Sequence, residues 1–211
     1  INKIETKHFK DRAEYIDSHF KFIDPNNLYS FKNILDLATA IKKGWDYHGL
    51  MIDPYNSMIK DKQVGKGLNG HEYDYYATSE MRVFCKSLQI SIWLCTHAST
   101  EALRKKHGER HDYAGHPIPP MASDVEGGGK FVNRADDFMV IHRYIQHPAD
   151  WTQSHIHVRK VKEIETGGKP TSMDDPIRFQ SMAGNVGFQI NGNVILEKPI
   201  REEFKKVINL K

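Results

Sequence analysis

The chain is poor in the residues that mark several large classes of protein. It has two cysteines, Cys85 and Cys95, in 211 residues, too few for the disulfide framework of a small secreted domain. It has no long hydrophobic run. The stretch around Ile90–Cys95 falls far short of the roughly 20 residues that span a bilayer, so no membrane partner is expected and the reading is of a reduced, cytoplasmic protein. It has little net charge: 30 Lys and Arg against 27 Asp and Glu leave +3. A nucleic-acid partner therefore has to be argued from where charge is placed, not from its total. Long polar tracts are missing too, and with 10% Phe, Trp and Tyr disorder is not expected. An initiator Met is also missing. The sequence begins at Ile1 on a helix-like stretch, and the expectation from that start is a piece of a longer protein.

What is present alternates between helical and extended patterns. An amphipathic helix is expected from about Lys3 to Phe20, then a short strand over Phe20–Asp24 ahead of Pro25, Asn26 and Asn27. Ser30 suits the N-cap of a helix over Phe31–Lys43, with Ile34, Leu35, Ala38 and Ile41 at helical spacing and Gly44 as its end. Gly49–Asp53 reads as a buried parallel strand. After a polar loop from Lys60 to Gly70, His71–Gln89 reads as a long helix and Ile90–Thr96 as the clearest strand. A short helix near Phe131–Ala135 and a strand over Phe138–His142 follow. The last third holds an alternating strand, Ser154–Lys162, a Thr166-Gly167-Gly168 turn, short strands near Arg178–Gln180 and Phe188–Ile190, and a basic helix from about Arg201. Residues 1–211 thus read as one α/β domain, with its core over 20–143 and edge strands plus a basic helix over 144–211. The expected sheet is mostly parallel, flanked by helices, with antiparallel strands at its C-terminal edge. Ligands bind such sheets at the carboxyl ends of the strands, which singles out Asp53, His97 and Arg143.

An acid at the end of an apolar strand, as Asp53 is, suits a Mg²⁺ water beside a nucleotide phosphate; a turn-forming Asp is the plainer alternative. No phosphate-cradling G-x-x-x-x-G-K-[ST] loop accompanies it. Gly127-Gly128-Gly129-Lys130 is followed by Phe131, and Asp124 stands where the first Gly belongs. Gly65–Gly70 matches G-x-G-x-x-G, but the polar stretch Pro54–Val64 separates it from the strand, so a surface loop is the better reading. The 12 histidines invite a metal hypothesis, with His155 and His157 on one strand face and His107, His111 and His116 in one loop. No Cys pair, H-E-x-x-H or compact carboxylate ligand joins them, and scattered solvent histidines are the expectation. Over Ser123–Arg143, three glycines free the backbone for close approach to a ligand, and Lys130 and Arg134 stand on the helix that follows.

Taken in order, these features resemble the ATPase core of the RecA-like replicative helicases, nearest to the hexameric DnaB kind and to phage and mitochondrial primase-helicases. Gly49–Asn56 (GLMIDPYN) is similar to the Walker B strand of that family. Ile90–His97 (ISIWLCTH) resembles the next core strand, whose terminal His or Gln senses the γ-phosphate. Gly115–Arg143 resembles the DNA-binding loop region, with Ser123-Asp124, the turn Gly127–Gly129, the helix Phe131–Asp136 and the strand Phe138–Arg143. Ile156–Lys162 is similar to the edge strand that carries a Lys and an arginine finger into the neighbouring subunit. The resemblance spans about Phe20 to Gln189. The family's Walker A loop and catalytic Glu have no counterpart and would lie upstream of Ile1. Counted back from the Gly turn, Ile164 stands at the position of the finger Arg.

The resemblance implies a motor that uses ATP and Mg²⁺, single-stranded DNA as partner, and a ring of copies of itself. It implies a catalytic set of Asp53, holding Mg²⁺ through water, His97, Lys160 and Lys162. It places DNA contacts at Asp124, Gly127, Gly128, Gly129, Lys130 and Arg134, and nucleotide contacts at Arg143 and Arg159. Alone, this chain would not hydrolyse ATP. A RecA-like module that keeps DNA or partner binding without catalysis is the alternative, and a His-rich metal hydrolase a distant third.

Overall fold

A computed structural model describes residues 6–23, 29–126, 129–182 and 187–195. The first helix, α1 (Thr6–His19), carries its apolar residues into solvent: Tyr15, Ile16 and, just past its end, Phe20 are all more than 40% exposed. Phe20–Ile23 forms no strand. The alternation in FKFID satisfies the pattern of a strand, but among the described residues no strand pairs with Phe20–Ile23 to complete a ladder, and Phe22 is solvent-facing; Asp24 lies outside the described residues.

The packed part begins at Ser30. Its hydroxyl accepts from the Asn33 amide at 3.3 Å while Asn33 Oδ1 accepts from the Ser30 amide at 3.2 Å. That reciprocal cap starts α2 (Phe31–Gly44), which buries Phe31, Leu35 and Ala38. Strand β1 (Gly49–Ile52) follows, then a 3₁₀ turn at Tyr55–Ser57 entered through a cis Asp53–Pro54 peptide. Helix α3 (Gly70–Leu88) is capped by Asn69, whose side chain accepts from the Glu72 amide at 3.0 Å. It ends on Gln89 in the left-handed conformation (φ 52°). Tyr73, Ala77, Met81 and Phe84, at helical spacing, form its buried stripe. Strand β2 (Ser91–Leu94) lies parallel to β1, with Gly49 opposite Ser91 and Ile52 opposite Leu94. Ile52 and Ile90 join the helices in one core, and Leu50, Ile92 and Leu94 pack against it.

A short helix, α4 (Thr100–Arg104), and then α5 (Lys130–Arg134) lead to the second sheet. This is an antiparallel meander of β3 (Asp137–His142), β4 (Gln153–Val161), β5 (Ile177–Ser181), β6 (Phe188–Ile190) and β7 (Asn193–Val194), in chain order. A single-turn helix, α6 (Ile164–Gly167), joins β4 to β5 and closes on Gly168, whose φ of 81° suits glycine. The register shifts between Phe138 and Met139. That bulge lets Phe138 pack on the core while His142 pairs with His155, and Val140 with His157, on the opposite face. Lys160 binds the sheet to α5, donating to the Val132 and Ala135 carbonyls at 2.8 and 2.7 Å.

The chain is thus mixed α/β, with parallel strands inside and antiparallel strands towards its C-terminal side. The proportion differs from the expectation of a mostly parallel sheet. Among the described residues the parallel part is a pair, and the antiparallel strands form a sheet of their own. Gly49–Asp53 is correspondingly less buried than its apolar sequence suggests: Ile52 is buried, but Met51 is 64% exposed and its neighbour Trp93 54%. Met51 and Trp93 point to the face opposite the core, which their exposure shows to be open to water. The expected helix from Arg201 lies outside the described residues. No described helix is long and apolar enough to cross a membrane.

Candidate functional site

The carboxyl ends of β1 and β2 are tied together by Asn56. Its Oδ1 accepts from the Thr96 hydroxyl at 2.7 Å and from the His97 amide at 3.1 Å, and its Nδ2 donates to Glu126 at 2.8 Å. The Glu126 amide in turn donates to the His97 carbonyl at 2.9 Å. Tyr55 closes the same corner, with its amide on the Cys95 carbonyl and its phenol on Asp74 at 2.8 Å. Burial first, then that bond to a carboxylate, pushes the Tyr55 phenol far up. Asp53 and His97 are exposed beside this corner, and no side-chain hydrogen bond or ion pair engages the Asp53 carboxylate among the described residues. It does raise the Cys95 thiol, an effect secondary to burial. A cleft of about 240 Å³ opens alongside, lined by Tyr55, Asn56, Lys60, Asp74, Glu126 and Phe131 among others.

The free carboxylate of Asp53 at a strand end fits an acid that holds a Mg²⁺-bound water. The phosphate cradle is another matter. Gly65–Gly70 lies on the loop before α3, where a Cβ at Gly65 would stand 2.9 Å from the Asp61 carbonyl. The tight packing there serves the turn that Asp61 builds by accepting from the Gln63 and Val64 amides.

The residues expected to touch DNA are placed unevenly. Asp124 is buried, accepting from Lys105 Nζ and the Met121 amide, both at 2.8 Å. Those two bonds, Lys105 first, hold its carboxyl below the usual carboxylate range. Lys130 is turned inward, with Nζ 2.6 Å from Asp74 and its side chain 8% exposed. Both are occupied in holding the Ser123–Arg134 segment to α3 and α4, which the sequence pattern of a charged glycine-rich loop did not disclose. Arg134 lies over the Tyr75 ring at 3.7 Å, a cation–π contact. Gly129 is exposed at the start of α5; Gly127 and Gly128 lie outside the described residues.

Of the residues assigned to a neighbouring subunit's nucleotide, Lys160 is engaged with carbonyls of α5 as described, and Lys162 pairs with Asp136 at 2.9 Å. Arg159 points to the other face of β4, donating to Met173 Sδ at 3.0 Å, with its Nε buried and unpartnered. Arg143 donates to the Trp151 carbonyl at 3.0 Å. Lys160 and Lys162 therefore face α5 and its following turn, while Arg159 faces a different environment.

That environment corrects the expectation of scattered solvent histidines. The segment Lys105–Ile118 folds back on itself, with Ile118 N on the Lys105 carbonyl and His107 N on the His116 carbonyl, both at 2.9 Å. The fold brings His107, His111, Tyr113 and His116 over the second sheet. Tyr113 stacks on Tyr144 at 3.8 Å, and His107 stacks on His111 at 3.8 Å. His107 Nε2 meets the Tyr144 hydroxyl at 2.9 Å, and the Tyr113 hydroxyl donates to Asp150 at 2.9 Å. His142, His155 and His157 line the strand face beneath. His155 is 1% exposed and His157 2%. The H-x-H spacing on β4 and the three histidines of one loop were the local signals; pairing with His142 and the meeting of hairpin and sheet are long-range. No three His, Cys, Asp or Glu side chains among the described residues stand so as to hold a metal ion.

No protein-family model and no curated protein matches the chain. Among solved structures it is similar to the KaiC-like protein PH0186 from the hyperthermophilic archaeon Pyrococcus horikoshii OT3. The identity is 13% over 87% of this chain, with a TM-score of 0.49. The chain spans 64% of that protein's length.

Proposed function

We propose that this chain is the C-terminal part of a RecA-like, ATP-dependent DNA helicase motor, in which the β1–β2 strand ends meet nucleotide and the neighbouring loops meet single-stranded DNA. The observation that carries the reading is the Asn56 clamp. It fixes the segments after both parallel strands and the start of the glycine-rich loop to one another, beside a free Asp53 carboxylate. A change at the strand ends is thereby coupled mechanically to the loop. In the complete motor Asp53 would hold a Mg²⁺-bound water, the metal supplying neutralisation of phosphate charge, and His97 would report the terminal phosphate. The phosphate loop would come from sequence before Ile1, so the chain alone is proposed to bind DNA without hydrolysing ATP.

Because Lys130 and Asp124 face inward, the DNA contacts of this reading fall to Arg134, to backbone amides near Gly129, and to Lys60, Lys62 and Lys66 on the loop across the cleft. Such contacts give salt-dependent, sequence-tolerant binding. Titration of a labelled oligo-dT at several salt concentrations tests this. Replacing Arg134 or Lys66 with Ala is expected to weaken binding and to lower the salt slope by about one each. An unchanged affinity and slope in both variants overturns the loop assignment. Asp53-dependent ATP hydrolysis by the purified chain overturns the proposal that its phosphate loop lies elsewhere.

A further inference from the structure

The histidine cluster plays no part in the proposed function, yet it buries two polar side chains, His155 and His157. Four chain segments meet there. The hairpin Lys105–Ile118 contributes His107, His111, Tyr113 and His116. The end of β3 and the turn after it contribute His142, Tyr144, His147 and Asp150. The β4 face contributes His155, His157 and Arg159, and Arg178 of β5 pairs with His155. Asp174 lies near His107 and Arg159. The hairpin's remaining charges, Lys106, Glu109, Arg110 and Asp112, are exposed.

Around the cluster, Arg159 and Arg178 stand against Asp150, Asp174 and Asp175. Arg178 pairs with Asp175 at 3.1 Å and donates to the Asp174 carbonyl at 3.4 Å, all three at the exposed margin, and Asp150 is already engaged by Tyr113 and by Gln153 at 2.9 Å. His157 has no hydrogen-bond partner on either ring nitrogen, and His142 has none on Nε2. A second proton on His142 would sit on its buried Nε2 with no acceptor, the ring's hydrogen bond being to the Pro117 carbonyl, and a proton on His157 would make a buried cation with no acceptor, facing Arg159 and other imidazoles. The hairpin is held over the sheet by ring contacts, Tyr113 on Tyr144, His107 on Tyr144, and His116 against His147 at 5.4 Å. Hydrogen bonds add to them: His107 Nε2 with the Tyr144 hydroxyl, the Tyr113 hydroxyl to Asp150, and His142 to the Pro117 carbonyl.

We propose that the hairpin Lys105–Ile118 is an acid-sensitive latch, seated on the β3–β4–β5 face while His142 and His157 are neutral and released when they take up protons. Burial, together with neighbouring imidazoles, depresses His142 to about 4. Burial and then the Arg159 charge depress His157 to about 4. His107 and His155 are shifted the same way, burial being the first cause for each. The released state lets each ring return to the ordinary value near 6.5, so it binds more protons between about pH 4 and 6.5. Stability of the seated hairpin is therefore full above that window and lost as pH falls through it. Each of the two rings shifts the opening equilibrium about 20-fold between pH 7 and pH 5.

Amide hydrogen exchange of the full chain at pH 7 and pH 5, corrected for intrinsic exchange, reads the latch directly. The expected result is a loss of protection of at least 20-fold at His107, Gly115, His116 and Ile118, with α2 and α3 amides unchanged. Arg159→Gln removes the charge that depresses His157. It narrows the gap between seated and released states and is expected to shallow the pH dependence. His157→Phe is expected to remove about 20-fold of it. The proposal is overturned if the hairpin and helix amides lose protection together. It is also overturned if neither loses protection, or if imidazole NMR places both His142 and His157 near 6.5.

Discussion

The two halves of the structure solve the same problem in opposite ways. Around β1, β2, α2 and α3 the interior is apolar, and polar groups gather at the strand ends, where Asp53, Asn56, His97 and Glu126 remain in contact with water. Around β3, β4 and β5 the interior itself is polar, with buried imidazoles and tyrosines under a hairpin. A wet site can change charge at little cost; a dry one cannot. The first half is thus suited to binding ions, and the second to sensing whether a proton is present.

The comparison is broken most severely by substitutions in the apolar half. Phe31→Ala, at a position 2% exposed, is expected to cost about 3–5 kcal/mol in urea denaturation. Replacing the exposed Trp93 by Ala should cost under about 0.5 kcal/mol; equal costs would mean that the exposed faces of the pair are covered. Next comes the Lys130–Asp74 pair, whose loss leaves the largely buried Asp74 carboxylate with the Tyr55 phenol as its partner. Lys130→Ala is expected to cost about 3 kcal/mol. If it instead weakens DNA binding with stability intact, Lys130 belongs with the exposed DNA contacts.

Acid separates the halves more finely. The carboxyls of Asp61, Asp124 and Asp136 are held below the usual range, by the Val64 amide, Lys105 and Lys162 respectively as the largest lowering causes. Their contribution is present above pH 3.8 and is lost only as pH falls through their lower folded values. The depressed histidines fail earlier, below about pH 6.5. A pH titration followed by near- and far-ultraviolet circular dichroism should therefore show the aromatic signal changing before secondary structure. Simultaneous loss would show the halves to be one cooperative unit. The smallest effect belongs to the caps: Ser30→Ala and Asn69→Ala should each cost about 1 kcal/mol, detectable as a shift in denaturation midpoint.

Much of the secondary structure was legible locally. Ser30 and the Leu35–Ala38 spacing set α2, and the Tyr73–Phe84 stripe set α3, because caps and amphipathic periods act within a few residues. FKFID failed because a strand needs a neighbour, and alternation cannot supply one. At the site, Asp53 and His97 could be read from strand ends, but their link through Asn56 to Glu126 could not, since it joins three loops distant in sequence. Lys130 and Asp124 looked like free loop charges; a partner on another helix or loop made them internal.

By itself, then, the sequence determined that this is an α/β protein with helices where caps and stripes dictate and acids at strand ends. Only the tertiary structure decided which charges face water. Five of its histidines, at 107, 116, 142, 155 and 157, are unremarkable in isolation. A hairpin and two antiparallel strands bring them together, and His155 and His157 end 1% and 2% exposed. Burial is a property of the assembled fold, and burial is what turns an ordinary imidazole into one that resists a proton.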